Sequence, residues 1–77
     1  MYNLVTMLEE IRKRVRTVPF EPFAIELSSG YMINVPHPDH IAVGRAQVAV
    51  EDDQGLFDVV SALHITRLHS QGAASAA

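Results

Sequence analysis

His37, Asp39 and His40 are the residues whose types most invite chemistry. Imidazole and carboxylate groups are the natural ligands of zinc and other divalent cations. His64 and His69 are further imidazoles that such a site could recruit. The spacing is not the i,i+4 of a helical metal pair, and Pro36 and Pro38 hold this stretch in a loop, a bulge or a sheet edge. Either this loop holds a metal through His37, Asp39 and His40, or it is a rigid surface turn whose polar groups face water. The same histidines beside an acid could act as a general base. No nucleophile elbow, no cysteine and no glycine-rich phosphate loop accompanies them. The expectation is a protein without catalytic activity, metal or cofactor.

A second cluster is electrostatic. Arg12, Lys13, Arg14 and Arg16 are four of the six basic residues. Such a run meets phosphate, or it is a solvated helix face neutralised by Glu9 and Glu10. Arg12 and Arg16 lie one helical turn apart, while Lys13 and Arg14 point elsewhere. Tyr31 either stacks on a base or fills a strand face beside Ile33. The net charge of −3 runs against a general nucleic-acid binder, for which a basic excess is expected.

The elements that would position these groups follow from periodicity. Leu4, Met7, Leu8, Ile11, Val15 and Val18 recur at spacings of three and four, which predicts an amphipathic helix over 3–17. Asn3 is a candidate N-cap, and Thr6 with Glu9 a capping box one turn later. Glu9–Lys13 and Glu10–Arg14 are i,i+4 pairs in the favourable order. Pro19 ends the helix by pushing Val18 out of the α region. Phe20 and Phe23, beside Pro19 and Pro22, set the helix at a fixed angle against the sheet. Phe23, Ile25 and Leu27 alternate with Ala24 and Glu26, a half-buried strand. Ser28, Ser29 and Gly30 make a turn, and Tyr31, Ile33 and Val35 alternate with Met32 and Asn34 in the next strand.

Further on, Ile41–Val43 is a short strand and Gly44–Arg45 a tight turn. Val48 and Val50 mark another strand. Asp52-Asp53-Gln54-Gly55 is the clearest hairpin turn, and Leu56–Val60 answers it. That strand is apolar on both sides apart from Asp58, which predicts that both its faces are covered, in the monomer or by intermolecular strand pairing. Ser61–His64 suits one tight helical turn, and 65–68 a last short strand. The whole is read as one domain over 1–69, with its strands between 23 and 68 and a Gly-, Ser- and Ala-rich disordered tail over 70–77.

Length and composition bound the rest. Seventy-seven residues give one small core, for which help from a partner is a reasonable expectation. No cysteine is present, and no apolar run approaches the length of a membrane span. With no export signal read at the N-terminus, a cytoplasmic protein is expected. The order of one helix and then short strands predicts an α+β, mainly β fold. It has an N-terminal helix followed by a strongly bent five-stranded antiparallel sheet, curled towards a small barrel.

Two resemblances attach to these residues. Phe23-x-Ile25-x-Leu27-x-x-Gly30 and His64-Ile65-x-x-Leu68 are similar to the two sequence motifs of the Sm-like superfamily, which includes the Hfq branch. That resemblance implies an Sm-like or SH3-like barrel, ring assembly through strand edges, and RNA as a partner. On it the candidate RNA contacts are Arg12, Arg16, Tyr31, His64 and Arg67. The chain departs from the pattern where the family reads RNA. The second glycine of the first motif falls at Val35, the Arg-Gly pair becomes Arg67-Leu68, and the Lys-His pair becomes Leu63-His64. The chain also resembles short bacterial proteins with a Pro-Phe-x-Pro-Phe-x-Ile-x-Leu-x-x-Gly stretch followed by Val-x-His-Pro. Here these are Pro19, Phe20, Pro22, Phe23, Ile25, Leu27, Gly30, Val35, His37 and Pro38. This resemblance is the more specific, and it implies no activity. The function expected is that of a non-catalytic interaction or assembly module that pairs with copies of itself through strand edges, or else an RNA-binding protein.

Overall fold

The computed structural model describes residues 4–52 and 54–70. Residues 1–3 with the candidate cap Asn3, Asp53, and the stretch from 71 onward lie outside the described residues, as do the side chains of Leu4 and Val5. The chain runs through α1 (Leu4–Arg16), β1 (Phe23–Leu27) and β2 (Met32–Val35). A 3₁₀ turn η1 (Pro38–His40), β3 (Ile41–Val43) and β4 (Gln47–Glu51) come next. β5 (Phe57–Ser61), a second 3₁₀ turn η2 (Ala62–His64) and β6 (Ile65–Ser70) complete it. The strands form two three-stranded antiparallel sheets, ordered β2-β1-β6 and β3-β4-β5. The fold is therefore a compact α+β arrangement. Two sheets stand where periodicity anticipated one five-stranded sheet, because η1 separates β2 from β3.

β1 sits at the centre of its sheet, and this alters its burial pattern. Phe23, Ala24 and Ile25 are all fully buried. Alternation predicts Ala24 on the open face. Instead it is flanked across the strands by Asn34 and His69, and its small side chain is fully covered. The β1–β2 hairpin turns at Gly30, whose φ of 93° lies in the left-handed region that glycine tolerates. Its N–H donates to the Leu27 carbonyl at 2.8 Å, and Leu27 N–H donates to the Tyr31 carbonyl at 2.9 Å. The last strand is longer than the sequence suggests. His69 and Ser70, beyond the short strand expected over 65–68, pair with Ala24 and Phe23 in β6. Pairing partners forty-odd positions away, not local propensity, make them a strand.

α1 covers both sheets. Met7, Leu8 and Ile11 join Phe23, Ile25, Ile33, Val35, Val48, Val50, Ala62 and Ile65 in one core, with Val15, Phe20, Val60 and Leu68 packed around it. Among the described residues no polar or charged residue is buried. The helix stops where proline dictates. Thr17 Oγ1 donates to the Lys13 carbonyl at 2.8 Å, and the chain then leaves helical geometry. The 3.6-residue period ends with it, so Val18 is 91% exposed rather than on the core face. Thr6 and Glu9 both lie inside α1, so they do not form its start. Phe20 and Phe23 meet at the corner with ring centroids 6.1 Å apart. Across that corner Arg14 ties helix to sheet. Its Nη1 donates to Ser70 Oγ at 3.0 Å, and its guanidinium lies 5.7 Å from the Phe23 ring centre. The expected Glu10–Arg14 pair forms at 3.4 Å. That distance serves an ion pair but is poorly aligned for a hydrogen bond, so the buried Nε–H has no acceptor.

The β4–β5 hairpin is built by its turn. Asp52 Oδ1 accepts from the N–H groups of Gln54 at 2.8 Å and Leu56 at 3.0 Å, and Gly55 takes a φ of 82°. Ser61 Oγ accepts from Leu63 N–H at 3.2 Å, which caps η2 and brings β6 back to β1.

Candidate functional site

The loop that carries His37, Asp39 and His40 folds as η1. His40 N–H donates to the His37 carbonyl at 3.1 Å, and the two imidazole rings meet edge to face with centroids 5.4 Å apart. His40 Nδ1 is buried and has no hydrogen-bond partner. Asp39 is exposed beside them. His64 and His69 are placed elsewhere. His64 is exposed at the end of η2, and His69 Nε2 meets Glu26 Oε1 at 2.7 Å across β1 and β6. Among the described residues no group of three or more His, Asp or Glu side chains converges as metal ligands would.

The candidate RNA contacts fall on separate surfaces. Arg12 and Arg16 line a shallow surface with Glu9, Lys13 and Thr17, but Arg12 Nη2 is already committed to the Gly44 carbonyl at 2.9 Å. Arg67 borders a trough between α1 and β6 with Met7, Glu10, Arg14, Thr66 and Leu68. Tyr31 is 60% exposed beside the β1–β2 turn. It borders a third groove whose charged residues are Glu51, Asp52 and Asp58, a setting that repels phosphate.

A different feature emerges from the hydrogen-bond parity of β5. In an antiparallel ladder, facing residues alternate between pairs that exchange two backbone bonds and pairs that exchange none. Asp52 N–H donates to the Leu56 carbonyl at 2.9 Å, and Ala62 N–H to the Ala46 carbonyl at 2.8 Å. These bonds fix the phase at both ends of the β4–β5 ladder. Val48–Val60 and Val50–Asp58 are then the bonded pairs. It follows that the N–H and C=O groups of Phe57, Val59 and Ser61 point away from β4, along an edge that no described strand pairs. The side chains of Phe57 and Val59 are 62% and 64% exposed. The sequence predicts both faces of this strand covered. In the single chain only the face carrying Val60 meets the core.

The other edges are blunted. By the same parity, set by the Leu27–Tyr31 bond, β2 turns Met32 and Asn34 outward, and the next outward position is Pro36, which has no N–H. β3 has three residues, lies against α1, and has the Arg12 guanidinium on the Gly44 carbonyl just beyond it. β6 carries a bulge at Thr66, opposite Glu26 and Leu27 of β1, and stands beside α1, with Arg14 bonded to Ser70. Bulges, prolines and short strands are the usual protections of a sheet edge. β5 has none of them, and its only charge is Asp58 on the inner face. The sequence offers only the two-sided apolar pattern of Leu56–Val60 as a sign of this, because edge status depends on which strands pair.

Comparison with protein families, with curated proteins and with solved structures gives no match for this chain.

Proposed function

We propose that this chain is a non-catalytic assembly module of the cytoplasm, an Sm-like or SH3-like small barrel that associates with copies of itself through strand edges. The observation that carries this reading is the free edge of β5, with outward backbone groups at Phe57, Val59 and Ser61 and exposed apolar side chains on the same strand. An edge of this kind is a template for another strand. The barrel reading rests on β2 and β3. Only Pro36–His40 separates them, and they act as one sharply bent strand that pairs with β1 at its start and with β4 at its end. Counted so, the order β6-β1-β2/β3-β4-β5 is a single bent five-stranded sheet, closed at one side by α1.

Sedimentation of the full chain over a wide concentration range tests the reading. Mass should rise with concentration. A chain that stays monomeric at about 1 mM, where even a contact of about −4 kcal/mol is half formed, overturns it.

RNA binding is the second reading, and the shared surface of Arg12, Lys13 and Arg16 is what favours it. Binding to U-rich or A-rich RNA should then weaken steeply with salt and fall in Arg16→Ala. Absence of binding at low salt disposes of it.

A further inference from the structure

We infer that the partner of the β5 edge is the β5 edge of a second copy, paired antiparallel about a twofold axis through Val59. This rests on the self-association reading above and gives it an occupant, a register and a symmetry. A head-to-tail assembly needs two complementary edges on each chain. Among the described residues β5 is the edge that carries no proline, bulge, capping arginine or neighbouring helix, and its one guard is the inward carboxylate of Asp58, while β2, β3 and β6 each carry at least one of those four. One usable edge per chain closes with itself, and a closed twofold pair is the simplest outcome.

The strand is self-complementary in that register. Its outward residues are Phe57, Val59 and Ser61, so Val59 faces Val59 of the second copy and Phe57 faces Ser61. Each of these pairs is of the type that exchanges two backbone bonds, about six bonds in all. The apolar side chains fall into step. Leu56, Phe57, Val59 and Leu63 are 62–73% exposed in the single chain. In the pair, Val59 packs on its own symmetry mate and Phe57 stands over Ser61 of the second copy. The charges choose the direction. The turn end of the β4–β5 hairpin carries Glu51, Asp52 and Asp58, while the opposite end carries exposed Arg45, next to the Ala46–Ala62 bond. Antiparallel pairing sets the acidic end of one copy beside the basic end of the other, twice. Parallel pairing would set acid against acid. Three strands from each copy then make a continuous six-stranded sheet, with β5 moved from its rim to its centre.

The full chain contains no cysteine, so single-cysteine variants report the register directly. In Val59→Cys the two Cα atoms of the twofold pair sit about 5.5 Å apart, within disulfide range. In Ser61→Cys the two cysteines lie four strand positions apart, about 13 Å, and do not bridge. The expected result is a disulfide-linked dimer from Val59→Cys on mild oxidation and none from Ser61→Cys. Val59→Lys places two like charges on the axis and should raise the dimer dissociation constant by about fivefold. Its circular dichroism should be unchanged, because Val59 supports no core contact. Equal cross-linking of both cysteine variants overturns the inference. So does an assembly larger than two, or a dimer indifferent to Val59→Lys. Both of those results leave self-association by another edge standing. A monomer at every concentration removes the inference and the reading beneath it together.

Discussion

Ile11 and Val18 belong to one apolar stripe in the sequence, yet the structure separates them completely. Ile11 is fully buried on the inner face of α1, whereas Val18 is 91% exposed beyond its end. Ile11→Ala removes buried carbon from a site walled by two sheets, where the cavity cannot collapse, and should cost about 3 kcal/mol. With a urea dependence of about 1 kcal/mol per M for so small a chain, the unfolding midpoint should drop by about 3 M. That is most of the ~3–5 kcal/mol a core of this size supplies, so the variant should be partly unfolded in buffer at 25 °C. Ile11→Val, at about 1 kcal/mol, gives a folded intermediate point. Val18→Ala should stay within about 0.5 kcal/mol, a midpoint shift of at most about 0.5 M. The assay is urea titration by circular dichroism in the Val59→Lys background, so that association does not contribute. Similar shifts for Ile11→Ala and Val18→Ala would refute the reasoning, since they would mean that the helix continues past Thr17 and docks through both residues.

Two smaller effects arise elsewhere in the fold. Gly55→Ala forces a side chain onto a φ of 82° and should cost about 1–2 kcal/mol, read as a lowered melting temperature, although a Cβ there meets only the flexible Glu51 carboxylate at 3.8 Å. The strain, not the space, sets that figure, so an unchanged melting temperature would show that the turn re-forms with another geometry. Arg14→Ala should cost about 1 kcal/mol through its lost contacts with Phe23 and Ser70. A double-mutant cycle with Ser70→Ala should give a coupling of about 0.5 kcal/mol, and zero coupling would mean that the hydrogen bond adds nothing to stability.

Local chemistry made the turns legible in the sequence. Gly30 and the Asp52–Gly55 stretch announce hairpins because only certain residues accept those backbone angles or cap those N–H groups. β2, β3, β4 and the 3₁₀ turn at Ala62–His64 match the alternation and the breaks between them. Features that depend on partners were hidden. Ala24 reads as a solvent position and is buried, because β1 is flanked on both sides. His69 and Ser70 read as lying past the last strand and form part of it, because β1 offers them an edge. The candidate contacts fared likewise. Arg12, Tyr31 and Arg67 are individually plausible for RNA, but the topology distributes them over three surfaces, one of them acidic. The free edge of β5 had only a composition signal, a run of β formers with one acid. Its unprotected state emerges only after every other edge has been traced to its neighbour.

β6 closes the first sheet by returning to β1, so Phe23 finds its partner in Ser70. During synthesis β1 and β2 leave the ribosome long before the strand that completes their sheet. Until Ile65–Ser70 emerge, the hairpin has an open side and α1 has only part of its floor. Closing a loop of that length costs only slightly more than closing a short one, so the obstacle is timing, not stability. A nascent chain stopped anywhere before Ile65 should therefore remain sensitive to proteases across the whole of α1 and the first hairpin.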